Sequence, residues 1–364
     1  MTASLKVLHT CETAIGGIGV YLKALSAMSP QDVRQIFHMP AEHAADLEGD
    51  PRLELYPRKK RGVASLVNQI RSLRGVIGRE KPDVVVFHST FSLLALALTR
   101  LRRGRAKRPR LIYIAHGWAG DQYSGAKARL VRAVEGTLCG FADLVINVSH
   151  NDLETARRHG YRGRHTVIEN AVPDAVAGAR DDCFAAEPEA LHLLFVGRFD
   201  RQKGLDILLE ALASAQKLRP ELKLHLIGGA VRSGNTPAFP PGVDHVGWVP
   251  SDEVDQWYRS ADALVVPSRW EGFGLVVAEA FRNGTPALVS DRGALPDLVE
   301  EGVTGHVFTL EGGDLRNRLL KLDKSSLRAM RPACRAIYER RYSMPRLYAE
   351  ILRAYRGETG AAAE

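Results

Sequence analysis

The chain has 364 residues, 45% hydrophobic and 25% charged, with 33 Gly and 18 Pro, the make-up of a globular protein of two domains at roughly 150 residues each. Disordered and fibrous chains are excluded. Lys and Arg outnumber Asp and Glu by 50 to 42, and the net charge of +8 favours anionic partners.

The opening stretch Met1–His9 turns polar too soon for a secretory signal and reads as a first strand. Apolar runs such as Leu93–Leu98 fall far below the roughly 18 residues of a membrane-crossing helix. A cytoplasmic protein is expected. Short β-branched runs follow in order at Leu5–Thr10, Val33–His38, Asp83–His88, Leu111–Ala115 and Leu144–Val148. A second series follows at Leu191–Val196, Leu222–Ile227, Ala263–Val266 and Ala287–Val289. Segments of helical period alternate with them; in Gly204–Leu218, Leu205, Leu208, Leu209 and Leu212 fall at i, i+3, i+4 and i+7. Such alternation predicts an α/β protein with parallel sheets covered by helices. The stretch Ala171–Glu189, with Pro173, Gly178 and Pro188, separates the two series as an interdomain connection. Leu327–Arg356 reads as helical with a break at Pro345, and the Ala-rich end beyond it as frayed.

Cys11, Cys139, Cys183 and Cys334 form no Cys-x-x-Cys pair, so they are expected to be packing residues. Basic residues cluster at Arg58–Arg61 and across Arg100–Arg110. One reading is solvated loop charge. The other is a face for anionic lipid headgroups or a phosphate-bearing substrate. Nucleic acid is disfavoured, because neither cluster is interleaved with aromatic residues.

Open parallel sheets bind ligands beyond the carboxyl ends of their strands. Gly16-Gly17-Ile18-Gly19 follows the first strand, where glycines let backbone N–H groups approach a phosphate. A nicotinamide fingerprint would need a third glycine at Leu22 and an acid after the second strand, where Phe37-His38-Met39 stands. His116 and Gly117 follow a strand, and the histidine is either a satisfied loop residue or a hydrogen-bonding group beside a substrate. His88 repeats the case more weakly. In Gly197-Arg198…Lys203-Gly204, a guanidinium and an ammonium at a strand end suit two adjacent phosphoryl groups. Glu271-Gly272-Phe273-Gly274 and Glu279 follow another strand; the acids either cap and brace a helix or accept hydrogen bonds from paired sugar hydroxyls.

Gly16-Gly17, His116-Gly117, Arg198…Lys203 and Glu271-x7-Glu279, in this order, resemble the retaining glycosyltransferases of family 4 over about residues 5–350. Val167–Val172 resembles the family's strand before the linker, and Asp291–Asp297 its late donor-side loop. The resemblance implies a GT-B fold, two facing Rossmann-like domains with an interdomain cleft. An acceptor-binding domain would span 1–172, a nucleotide-sugar-binding domain 190–335, and a helix within 336–364 would cross back to the first. It implies that Arg198 and Lys203, helped by Gly17, bind the donor diphosphate. Glu271 and the amides of Gly272, Phe273 and Gly274 would hold the transferred sugar, Glu279 the ribose, and His116 would stand near the reacting centre. The lobes would close about a hinge at 171–189.

With no Asp-x-Asp in the chain, no metal or cofactor is expected, and Arg198, Lys203 and a helix N-terminus would carry the leaving diphosphate's charge. The acceptor implied is a lipid-linked saccharide of bacterial surface polysaccharide, met at an anionic membrane surface. Gly19 stands where some members place a polar acceptor contact. Ser251 stands where some guanine-using members have an acid, and Asp297 replaces the usual glutamate. The competing readings are an epimerase or phosphorylase on the same fold, and a non-catalytic protein that binds nucleotide sugars or membrane surfaces.

Overall fold

The computed structural model describes residues 4–28, 32–47, 49–58, 62–101, 108–175, 182–230, 239–250 and 253–358. They divide into two compact units, residues 1–170 with 344–364, and residues 171–343.

In the first unit β1 (Leu5–Cys11), β2 (Val33–Pro40), β3 (Leu53–Tyr56), β4 (Val84–His88), β5 (Arg110–Ala115), β6 (Leu144–Asn147) and β7 (His165–Val167) form one sheet. All pairs are parallel, in the order β3-β2-β1-β4-β5-β6-β7. Five helices lie between the strands: α1 (Gly17–Ala27), α2 (Val63–Glu80), α3 (Ser92–Arg100), α4 (Gly125–Cys139) and α5 (His150–Arg158). A sheet covered on both faces needs strands apolar on both faces, and every residue of β4 is buried. Leu66, Ile70, Leu73, Val76 and Ile77 give α2 its packed stripe against the sheet core.

The second unit repeats the plan with β8 (Leu191–Val196), β9 (Leu222–Ile227), β10 (Val243–Gly247), β11 (Ala263–Val266), β12 (Ala287–Ser290) and β13 (Gly305–Phe308). These strands are parallel too, ordered β10-β9-β8-β11-β12-β13. Its helices are α6 (Leu205–Gln216), α7 (Val254–Ser260), α8 (Leu275–Arg282), α9 (Leu295–Leu298), α10 (Asp314–Lys321) and α11 (Lys324–Ile337). In each unit the winding reverses beside the first strand, between β1 and β4 and between β8 and β11. Such a switch point leaves a crevice at the strand ends.

The chain's last helix, α12 (Met344–Arg356), belongs to the first unit. It buries Leu347, Tyr348, Ile351 and Tyr355 there, and Arg346 donates to the carbonyls of Glu169 (2.7 Å) and Asn170 (3.1 Å). Complete burial of a Leu or Ile side chain stabilises by about 1.5–3 kcal/mol. The helical tail is not broken at Pro345. A π-turn at Tyr338–Tyr342 and extended Ser343 interrupt it, and Pro345 sits in the first turn of α12, where a missing N–H costs nothing.

Two other expectations differ from the structure. The described part of 171–189 packs within the second unit: Val172 is fully buried, and its N–H donates to the Tyr342 carbonyl (3.0 Å). The strand expected at Val167–Val172 ends at Val167, and Val172 makes only an isolated bridge with Ser343. Cys11, Cys139 and Cys334 are buried and Cys183 half-buried, all four as free thiols. No described helix is long and apolar enough to cross a membrane.

Burial of neutral imidazoles makes the first unit acid-sensitive. His38, 1% exposed, is held down to about 3 by burial and bonds Thr10 Oγ1 through Nδ1 at 2.8 Å. The unfolded chain takes up this proton below its ordinary value of 6.5 while the folded one does not, so stability is lost as pH falls. The slope is about 1.4 kcal/mol per pH unit. His38→Asn keeps a partner for Thr10 without a titrating ring. Urea unfolding between pH 6 and pH 5 is expected to show a slope shallower by about that amount.

Candidate functional site

The second unit's candidate residues converge at its switch point. The loop after β8 carries Arg198 and Lys203, and the loop after β11 carries Ser268 and Glu271. The ammonium of Lys203 donates to Glu271 Oε1, which also accepts the Ser268 hydroxyl at 3.1 Å. Both partners are mostly shielded, with 17% and 9% of their side chains exposed. The loops are joined again where Gln202 Nε2 donates to the Trp270 carbonyl (3.1 Å) and Arg269 N–H to the Gln202 carbonyl (2.7 Å). Arg198 remains more open, 44% exposed. It pairs with Asp200 (3.1 Å) and donates to Gln202 Oε1 (3.2 Å). The structure thus leaves a cation at the edge of the crevice and a second cation preset by a carboxylate.

Gly204 lets the loops close. Its φ is +66°, and a Cβ there would stand 2.0 Å from the Pro267 carbonyl oxygen, so a side chain would push the two loops apart. A third loop braces Glu271 from behind: Ala294 N–H donates to its carbonyl (3.1 Å), and Ser290 Oγ donates to the Ser268 carbonyl (2.6 Å).

Gly272, Phe273 and Gly274 lead into α8. The Phe273 ring is buried edge-on against Tyr342, centroids 5.7 Å apart, so only its main chain is available to a ligand. Gly274 caps α8 with left-handed backbone, and the helix N-terminus adds partial positive charge. Glu279, one helix turn from the end of α8, is half-buried and accepts the Tyr258 hydroxyl at Oε2 (2.9 Å).

In the first unit Gly16 has φ +71° and Gly17 opens α1, exposed. Gly19 has a packing role: a Cβ would stand 2.2 Å from the Ala14 carbonyl oxygen, so no polar side chain fits there. The same loop is pinned by His43 Nδ1, which accepts Ala14 N–H (3.2 Å), and by the pair Glu12–Arg58 (3.0 Å). Arg58 is therefore neither solvated nor offered to a surface. Arg100 likewise is tied to Asp143 and to the Phe141 carbonyl. Lys59–Arg61, the cations from Arg102 to Lys107, and Ser251 lie outside the described residues.

His116 directly follows β5. Its Nε2 lies 3.0 Å from His88 Nδ1, whose other nitrogen lies 3.2 Å from His9 Nδ1, and Tyr21 packs edge-on to His116 at 5.0 Å. Burial holds His116 down to about 4, His9 to about 3 and His88 well below its usual range, so all three are neutral at neutral pH. Beyond His116, Glu135 accepts the N–H groups of Ala119 (2.9 Å) and Gly120 (3.1 Å), and Trp118 Nε1 donates to the Asp152 carbonyl (2.8 Å). Ser268, Gln202, Tyr258, His9 and Glu135 are site-building residues that sequence motifs did not reveal. No local spacing marks them, because each acts on a residue distant in the chain.

Residues 190–322 match the family described as "Glycosyl transferases group 1", and residues 16–171 match "Glycosyl transferase 4-like domain". The chain belongs to the family 4 glycosyltransferases. It is similar to an uncharacterized 41.2 kDa protein in the cps region of Klebsiella pneumoniae, 25% identical, covering 96% of this chain and 100% of that one. It is also similar to D-inositol 3-phosphate glycosyltransferase of Streptomyces avermitilis, 34% identical over 47% of this chain and only 41% of that relative. The solved structure of Anabaena HepE in complex with UDP-glucose has a TM-score of 0.78, with 20% identity, covering 97% of this chain and 100% of that one. At that identity the likeness shows the fold, which is GT-B: this glycosyltransferase carries two units with parallel sheets of seven and six strands.

Proposed function

We propose that this glycosyltransferase moves a sugar from a nucleotide-sugar donor to a lipid-linked saccharide, with retention and without a metal, in bacterial surface-polysaccharide assembly at the inner face of the membrane. One observation carries the donor half: the Lys203–Glu271–Ser268 group beside Arg198 at the switch point of the second sheet. The relative from a cps region and the solved relative holding UDP-glucose support the polysaccharide role and the donor class.

Departure of a nucleoside diphosphate builds negative charge on its phosphates and positive charge at the anomeric carbon. Arg198 and Lys203 offset the first, and the amides opening α8 add their dipole. Lys203 comes already oriented by Glu271, so little reorganisation accompanies the developing charge. The Glu271 carboxylate accepts a sugar hydroxyl, and Glu279, steadied by Tyr258, accepts a ribose hydroxyl. The acceptor oxygen attacks on the face the diphosphate leaves, and the departing phosphate oxygen takes its proton. A sugar isolated in covalent linkage to Glu271 would overturn that step.

Thermal unfolding with UDP-, GDP- and ADP-sugars in the presence of chelator tests the reading. One nucleotide class is expected to raise Tm; at 100 times Kd the stabilisation is about 2.7 kcal/mol. The shift is expected to vanish in Arg198→Ala and Glu279→Ala. No shift with any donor, or an equal shift in both variants, would remove the donor site from these residues.

A further inference from the structure

Three helices lie side by side on one face of the first sheet, α3 between α2 and α4, and their inner sides share one core. The outer side of a helix placed so is normally polar. That of α3 is apolar. Leu94, Leu98 and, just past the helix end, Leu101 are 38%, 42% and 62% exposed, and at i, i+4 and i+7 they form one continuous stripe. No charge interrupts it, since residues 92–99 read Ser-Leu-Leu-Ala-Leu-Ala-Leu-Thr. Leu130 and Val134 are exposed one turn apart on α4, and Val67 is exposed on α2. A single exposed leucine is ordinary surface, but a stripe of three with apolar neighbours on both flanking helices marks an interaction face.

Charge decides what covers it. The three helices hold two acids, Glu80 and Glu135. Glu135 is buried, and Glu80 is half-buried against Arg34 at 3.2 Å. The exposed charged side chains described on these helices are all cations: Arg71, Arg74 and Arg79 on α2, Lys127 and Arg129 on α4. Arg79 pairs with Glu54, and Lys127 stands over the Tyr123 ring at 3.8 Å; among the described residues Arg71, Arg74 and Arg129 have no acidic partner. None of the five belongs to the two basic clusters of the sequence. A second copy of the chain fits this face poorly. A two-fold contact sets a face against itself, which here opposes like charges with no exposed acid to meet them. An anionic bilayer meets both demands, with acyl chains beneath a layer of phosphates. At about 13 Å, α3 is too short to cross a hydrocarbon core of about 30 Å and can only lie along the surface.

We propose that the outer face of α2, α3 and α4 docks this glycosyltransferase on an anionic lipid surface. Leu94, Leu98 and Leu101 lie among the acyl chains just below the headgroups, and Arg71, Arg74, Lys127 and Arg129 meet the phosphates. This rests on the reading above that the enzyme works at a membrane face, and names the surface it uses there; the donor site plays no part in it.

The test is co-sedimentation of the full chain with vesicles of phosphatidylethanolamine and phosphatidylglycerol, and with vesicles of phosphatidylcholine alone. The chain is expected to sediment with the first and not with the second. Leu94→Gln, Leu98→Gln and Leu101→Gln in one chain are expected to weaken binding at least about tenfold. Arg71→Gln with Arg74→Gln is expected to weaken it about 20-fold at low salt, an effect that fades as salt is raised. All five side chains are exposed, so both variants are expected to keep the thermal unfolding of the wild type. Leu98→Trp reads the face directly, and its added emission is expected to be quenched by brominated acyl chains. Failure of the wild type to bind anionic vesicles overturns the proposal together with the membrane reading. Wild-type binding that either variant retains, or a Leu98→Trp emission left unquenched, overturns the proposal alone, because another surface then holds the lipid. Association of the chain with itself without lipid, lost in the leucine variant, gives the face to a second copy and overturns it as well.

Discussion

Lys203→Met is expected to lower turnover by about 10²–10³-fold, the usual loss when one preorganised group facing developing charge is removed. The same change leaves Glu271, whose side chain is 9% exposed, with the Ser268 hydroxyl and no cation. A hydrogen bond to a charged group contributes about 1.5–3 kcal/mol, so stability falls on that order. Glu271→Gln in the same chain removes the stranded charge. The double variant is expected to regain most of the stability and none of the activity, because the ammonium proposed to face the diphosphate is still missing. Urea unfolding and nucleotide release measure the two separately. Turnover of Lys203→Met within threefold of wild type would take Lys203 out of the donor site.

The largest loss of stability is expected at the buried pair behind α8. Asp255, 1% exposed, accepts Arg282 Nε at 3.0 Å, Arg282 Nη2 at 2.8 Å and Asn283 Nδ2 at 2.6 Å. Arg282, 9% exposed, also donates to the Pro173 carbonyl at 2.9 Å and so pins the start of the second unit to α8. Asp255→Ala strands the guanidinium away from water and is expected to cost about 3–5 kcal/mol. Asp255→Ala with Arg282→Met removes both charges, and the loss is expected to shrink to the packing difference. A single variant less than 1 kcal/mol from wild type in urea unfolding would contradict the account.

Legibility in the sequence followed burial. The nine strands read from apolar runs are all interior to the two sheets, while β3, β7, β10 and β13 are their four edges. An interior parallel strand is packed on both faces and must be apolar throughout. An edge strand need not be: β10 reads Val-Asp-His-Val-Gly with no buried residue, and β7 has three half-buried residues. The helical tail was visible in its periodicity, but its break was misplaced at Pro345, since proline is as suited to a helix's first turn as to its end.

Local composition alone determined that this is an α/β chain with two sheets, that its glycine loops follow strands, and that Arg198, Lys203, Glu271 and Glu279 stand at strand ends and helix starts. Those features rest on neighbours in sequence, through periodicity and turn chemistry. Which side chains complete one another was decided only by the tertiary structure. Lys203 and Glu271 are 68 residues apart, His9 meets His116 only through the His88 ring on the strand between, and Arg58 proved to be Glu12's counter-ion. A side chain's partner is set by sheet order and register, and those follow from packing whole elements together rather than from any single stretch of the chain.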